Sequence, residues 1–146
     1  MLQTSTNAFS STYGILKEIM KHRKVADSFV SSQFDPKFSS EGDQFVLFDF
    51  HNPKELPSNL VGTFDFVVVD PPFITREVWE LYAQAVKLLL RSKDSKILLT
   101  TIGRAYYSCR ARTFKPSIPH LVYQYALYTN YESPALDVVN PEVDFD

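Results

Sequence analysis

The run Phe64–Val69 (FDFVVV), followed at once by Asp70, Pro71, Pro72 and Phe73, constrains the fold of this chain more than any other stretch. Phe66, Val67, Val68 and Val69 are aromatic or β-branched and only Asp65, near the start, is polar, so the second half reads as a strand buried on both faces. Strands of that kind belong to parallel sheets covered by helices. In open sheets of this type ligands bind at the carboxyl ends of the strands, and Asp70 stands where this strand ends. Neither proline can donate to a ladder, and each restricts the residue before it, so the tetrapeptide is expected to be a rigid rim. A plainer reading stays open beside this one. An Asp ending a strand before a Pro-Pro turn occurs in any α/β protein, because turns favour these residues.

The remaining patterns fit one small α/β domain. At 146 residues with 45% hydrophobic content the chain can bury one core. Tyr13–His22 has helical spacing, with Ser11 or Thr12 as a cap, and Phe45–Phe50 reads as a strand. Arg76–Leu90 is the strongest helix: Thr75 can cap it, and Val78, Tyr82, Val86 and Leu89 form one apolar stripe that belongs to the core. Lys96–Thr101 reads as a further buried strand and Leu121–Tyr128 as a late one. Strands alternating with helix predict a three-layer sheet. Pro134–Asp146, with Asp137, Glu142, Asp144 and Asp146 among prolines, is expected to be a loose acidic tail.

An acid, two prolines and a ring at a strand end can grip a nitrogen. A target amine can donate to the Asp70 carboxylate and to the Pro71 carbonyl, which aims its lone pair at an electrophilic carbon. The ring of Phe73 can then lie against the reacting nitrogen or a cationic donor, an attraction of roughly 0.5–2 kcal/mol depending on desolvation.

DPPF closing a hydrophobic strand resembles the signature of class I, S-adenosylmethionine-dependent amino-methyltransferases, which act on adenine N6 or on lysine and glutamine side chains. More narrowly, FVLFDFHNP (45–53), LVGTFDFVVVDPPFITREVWELYAQAVKLLL (60–90), KILLTTI (96–102) and TFKPSIPHLVYQYALYTNYES (113–133) resemble the family once labelled N6-adenine methyltransferase-like. Its characterised members are eukaryotic protein-lysine methyltransferases of translation elongation factor 1-alpha. The resemblance implies a Rossmann-like methyltransferase sheet, mostly parallel with an antiparallel late strand. It implies a catalytic set of Asp70, Pro71, Pro72 and Phe73, and S-adenosyl-L-methionine as cofactor. It places Gln33 and Asp35 at the cofactor ribose, with the neutral Gln33 where an acid is common and a weaker acceptor for it. Asp49 would accept from the adenine amino group while Phe50 packs on the ring; an ordinary strand-end turn before Asn52 and Pro53 is the alternative for Asp49. Ser117, His120 and Gln124 fall in the segment that shapes the substrate entrance.

Two departures from the family pattern stand out. Only Gly14, Gly42, Gly62 and Gly103 are present, so no Gly-rich cofactor loop can be written, and no first strand is legible. Residues 1–28 are therefore expected to be divergent or truncated within a domain spanning 1–135, with 136–146 as the tail. The stretch Gly103–Arg112 is too short for the helix that family members carry between the strand ending in Thr100 and Thr101 and the TFKPSIP segment, and it crowds Arg104, Arg110 and Arg112 together.

Charge narrows the partners. A net charge of −2 and a pI near 5.9 offer no broad basic surface for a phosphate backbone. The cluster Lys21, His22, Arg23 and Lys24 reads more simply as a solvated helix end. A protein substrate, elongation factor 1-alpha by resemblance, is thus expected ahead of nucleic acid. Cys109 is the single cysteine and the three histidines are scattered, so neither a disulfide nor a metal site is expected. No apolar run approaches the length of a membrane span, and the start lacks a secretory pattern, so a cytoplasmic location is expected. Three functions remain open: a protein-lysine methyltransferase, an adenine-N6 nucleic-acid methyltransferase, or a catalytically inactive chain of this fold.

Overall fold

In the computed structural model, the residues described are 2–3, 31–33, 45–47, 49, 51–70, 75–102, 108–117 and 122–143. They form a seven-stranded sheet: β1 (Leu2–Gln3), β2 (Ser31–Gln33), β3 (Phe45–Leu47), β4 (Phe66–Asp70), β5 (Lys96–Thr101), β6 (Arg110–Ala111) and β7 (Ala126–Thr129). Across the sheet the order is β3-β2-β1-β4-β5-β7-β6. The pairs from β3 to β5 are all parallel, whereas β7 runs antiparallel to both β5 and β6. One strand of the seven is thus reversed, and it is the late one. Because the order turns back at β1, the crevice above the carboxyl ends of β1 and β4 is the topological switch point of the sheet.

Helix α1 (Arg76–Leu89) links β4 to β5. Thr75 starts it from an extended backbone, and its hydroxyl accepts the Val78 amide, one of the N–H groups that a helix start leaves without a partner. Trp79, Tyr82, Ala85, Val86 and Leu89 are buried along one face. They pack with Val67 and Val69 of β4 and Ile97 and Leu99 of β5. Each large side chain withdrawn from water there contributes about 1.5–3 kcal/mol. The sequence stripe named Val78 in place of Trp79; Val78 sits at the edge of the core, and Trp79 and Ala85 complete the buried face. Alternation in β4 sends Val68 to the opposite face, where it and Leu127 are also buried. Both faces of the central strands are therefore covered, as the near-continuous apolar run of β4 requires.

The helix returns to the sheet through a tight junction. Gly62 donates its amide to the Leu88 carbonyl and Phe64 to that of Leu89, while the Arg91 amide returns to Phe64. Gly62 adopts φ 68°, the left-handed region, where a Cβ would be strained.

Three expectations require correction. A first strand exists after all: Leu2 and Gln3 pair with β2 on one side and β4 on the other, in the central position. Two residues are too few to show a periodicity. Strand β6 was hidden by the arginines around it, although the connection 102–109 does end in it. Residues 134–140, expected to be loose, are tied down. Phe114 donates its amide to Leu136, the buried Asn140 donates its side-chain amide to the Lys115 carbonyl, and Arg112 pairs with Asp137. The expected helix at 13–22, the basic cluster 21–24, and Arg104 lie outside the described residues.

Candidate active site

Strand register builds the site. Val69 of β4 lies beside Leu99 of β5, so the next residues along these parallel strands, Asp70 and Thr100, are neighbours on the face away from α1. Across the following pair Thr100 lies opposite Leu127, and Tyr125 stands two residues before Leu127, on the same face by strand alternation. Three strand ends thus converge on one row: Asp70, Thr100 and Tyr125.

The electrostatics of this row are unusual for a carboxylate. The Thr100 hydroxyl donates to Asp70 Oδ1 at 2.6 Å. Burial nevertheless raises the Asp70 pKa above its ordinary value, and the Thr100 hydrogen bond only partly opposes it. The phenol of Tyr125 is raised first by burial and then by the Asp70 charge. An acid whose charge is incompletely compensated, at the carboxyl edge of a parallel sheet, is a candidate for chemistry.

Among the other expected site residues, Gln33 ends β2, in register with Gln3 of β1 and Leu47 of β3. Asp49 follows β3 and organises the turn there. Its Oδ1 accepts both the His51 amide, at 2.9 Å, and the His51 ring nitrogen, while Oδ2 accepts the Asn52 side-chain amide at 3.2 Å. The His51 amide and ring hold the Asp49 carboxyl below its ordinary value. The turn role left open in the sequence is therefore present, and lone-pair capacity remains on Oδ2 for a second donor. The Gln124 side chain donates to the Pro116 carbonyl at 2.9 Å and to that of its neighbour Tyr125 at 2.8 Å. Ser117 is half-buried next to that contact. Pro71, Pro72, Phe73, Asp35, Phe50 and His120 lie outside the described residues.

The sequence pattern missed Thr100 and Tyr125. Their signal was present but indirect: Thr100 follows the apolar Ile97–Leu99 run in the same way that Asp70 follows Val67–Val69, and pairing the two runs end to end would have set them side by side. Cys109 offers no nucleophile, since burial pushes its thiol up to about 11. Among the described residues no group of three His, Cys, Asp or Glu gathers to hold a metal, and no helix is long and apolar enough to cross a membrane.

A sheet with this strand order, a single reversed strand and an acid at its switch point defines an α/β Rossmann-like protein of the methyltransferase type. The family described as "Probable N6-adenine methyltransferase" matches residues 3–133, and the chain belongs to that family. Its relatives include "EEF1A lysine methyltransferase 1" of Danio rerio, 34% identical over 135 residues that span 86% of this chain and 79% of that protein. A "Protein-lysine N-methyltransferase" of Dictyostelium discoideum is 28% identical over 139 residues, 89% of this chain and 65% of its own length. The Homo sapiens protein named "EEF1A lysine methyltransferase 1" is 29% identical over 131 residues, 84% of this chain and 58% of its own. No solved structure matches the chain.

Proposed function

We propose that this chain is an S-adenosyl-L-methionine-dependent protein-lysine N-methyltransferase whose substrate is translation elongation factor 1-alpha. The observation that carries this reading is Asp70, an under-compensated acid at the end of β4 beside the switch point, in a chain whose relatives are named for lysine methylation. The acidic balance of the chain, with its net charge of −2, favours a protein over a polyanionic nucleic acid.

The residues at the carboxyl edge suit the cofactor. Gln33 at the end of β2 is suited to a ribose hydroxyl, and the spare capacity of Asp49 Oδ2 to an adenine amino group. When bound, S-adenosylmethionine would supply an electrophilic methyl group on a sulfonium, with a neutral thioether as the leaving group. The rest of the work falls to the protein. Free lysine has a pKa of about 10.4, so the enzyme must hold the uncharged amine, and a site shielded from water favours that form. Asp70 accepts an amine N–H and fixes the lone pair on the line of attack, a positioning effect that can supply a large part of the barrier reduction. A N–C bond forms as the S–C bond breaks, and the resulting ammonium gives up a proton to solvent. Work on a translation factor would place the enzyme in the cytoplasm.

The test is to incubate the purified chain with methyl-labelled S-adenosylmethionine and either elongation factor 1-alpha or structured RNA and DNA, and to locate the label by mass spectrometry. Methyl-lysine on the factor is the expected result. Label on adenine would make the chain a nucleic-acid enzyme. A folded sample that neither binds the cofactor nor transfers label would make it an inactive member of the fold.

A further inference from the structure

A carboxylate that orients a substrate must itself be held, and Asp torsions near the carboxyl are soft, with a broad two-fold well. Asp70 sits at the last position of β4, where the ladder no longer fixes its surroundings on both sides. The structure supplies a brace from the neighbouring strand. Thr100 lies within β5, paired with Leu127 of β7 one residue past the last β4 pair, and its neighbours Leu99 and Thr101 are each only 1% exposed. Its backbone is held by the β5–β7 ladder. Its branched Cβ restricts χ1 as well, so the hydroxyl has little freedom and reaches Asp70 Oδ1 at 2.6 Å.

We propose that Thr100 is a positioning residue that pins Oδ1 of Asp70 and thereby presents Oδ2 to the substrate nitrogen. The proposal rests on the reading of Asp70 as the acid that orients the amine. Oδ1 is occupied by a donor from the protein, so the approaching N–H meets one defined oxygen in place of two interchangeable ones. The hydroxyl also stabilises the ionised acid, which burial alone would push further toward its neutral form. Among the described residues the titratable group coupled to Asp70 leaves this effect readable: Tyr125, ahead of β7, stays neutral because burial and the Asp70 charge both raise it, and the register partner on β1, Gln3, is not a titratable residue.

Thr100→Val keeps the shape and removes the hydroxyl; Thr100→Ser keeps the hydroxyl and removes a methyl group. Two readouts are taken on each. The first is the Asp70 carboxyl titration, followed by NMR of carbon-13-labelled aspartate, which needs no activity. The second is the pH profile of methyl transfer, with kcat and KM separated. Thr100→Val is expected to move the Asp70 titration upward, to shift the acid limb of the rate profile the same way, and to lower kcat by about tenfold or more with little change in KM for the methyl donor. Thr100→Ser is expected to restore both. A folded Thr100→Val variant with unchanged Asp70 titration and unchanged kcat overturns the proposal, as does a loss that Thr100→Ser fails to recover. A wild-type chain that transfers no methyl to elongation factor 1-alpha refutes the substrate reading instead, and the carboxyl titration still decides whether Thr100 pins Asp70.

Discussion

Asp70 and Arg112 are both charged side chains withdrawn from water, and the protein treats them in opposite ways. The Arg112 side chain is 5% exposed and its guanidinium donates to four acceptors. Nε donates to Thr129 Oγ1 at 2.6 Å, Nη1 donates to Glu132 at 2.8 Å and Asp137 at 3.3 Å, and Nη2 donates to the Tyr131 carbonyl. Asp70 has one hydroxyl, from Thr100. The arginine stays charged under any condition because its partners raise its pKa further, Glu132 first. The acid is left poised, its charge less stable in the fold than in water. Full compensation makes a structural clasp, which here joins the β6 end, β7 and the segment through Asp137. Partial compensation makes a site, because a carboxylate with unfilled acceptor capacity has something to offer a ligand.

The contrast breaks most visibly at Asp70. Asp70→Asn keeps the size and removes the charge, and it is expected to lower methyl transfer by about a hundredfold or more while the protein melts no earlier than wild type. Retained turnover would remove Asp70 from the chemistry. Early melting would make it a structural residue like Arg112.

Arg112→Met is expected to do the reverse. The buried Thr129 hydroxyl loses its donor and Glu132 and Asp137 lose their cation, so the melting temperature should fall by roughly 5 °C or more. Turnover per folded molecule should hold. Arg112→Lys should recover little, since one ammonium cannot reproduce a planar fork reaching four acceptors. A full rescue by lysine would show that charge alone sufficed and would erase the distinction drawn from geometry.

A smaller effect separates the two by pH. The folded pKa of Asp70 is raised, so the fold binds its proton more tightly than the unfolded chain. Stability is favoured below the ordinary value of 3.8 and declines as pH rises through the folded value. Glu132 is lowered, mainly by its hydrogen bond to Arg112. Its contribution is present above the ordinary value of 4.5 and is lost as pH falls through the folded one. Melting curves between pH 3 and pH 7 should therefore show Asp70→Asn gaining on wild type toward neutral pH. Glu132→Gln should lose ground over the same range, by a margin that salt reduces because Glu132 is 73% exposed. Parallel slopes for the two variants would mean that the acids are alike.

Much of the fold was legible where elements were long. Lys96–Thr101 was bounded to the residue, and the helix after Thr75 to within one, because six and fourteen residues carry enough alternation or stripe to be read. Strands β1 and β6, of two residues each, carry none, and they exist only because neighbouring strands offer them unpaired backbone groups. The site divided along the same line. Asp70 was visible as an acid ending an apolar strand, whereas Thr100 is an ordinary threonine until β5 is laid beside β4. The supposed tail looked loose because its prolines and acids disfavour helix and strand. Hydrogen bonds from Arg112, Phe114 and Asn140, reached from distant positions, hold it.

The sequence by itself determined that β4 would be buried and would end at an acid, since local residue chemistry sets strand propensity, burial and where a ladder must stop. It determined the amphipathic helix that follows for the same reason. Only the tertiary structure decided which residues share a surface. Parallel register set Thr100 against Asp70, and a reversed β7 brought Tyr125 to the same row and closed Thr129 and Glu132 around Arg112. Such pairings cost loop-closure entropy that no local pattern encodes, and they become favourable only when the whole sheet forms.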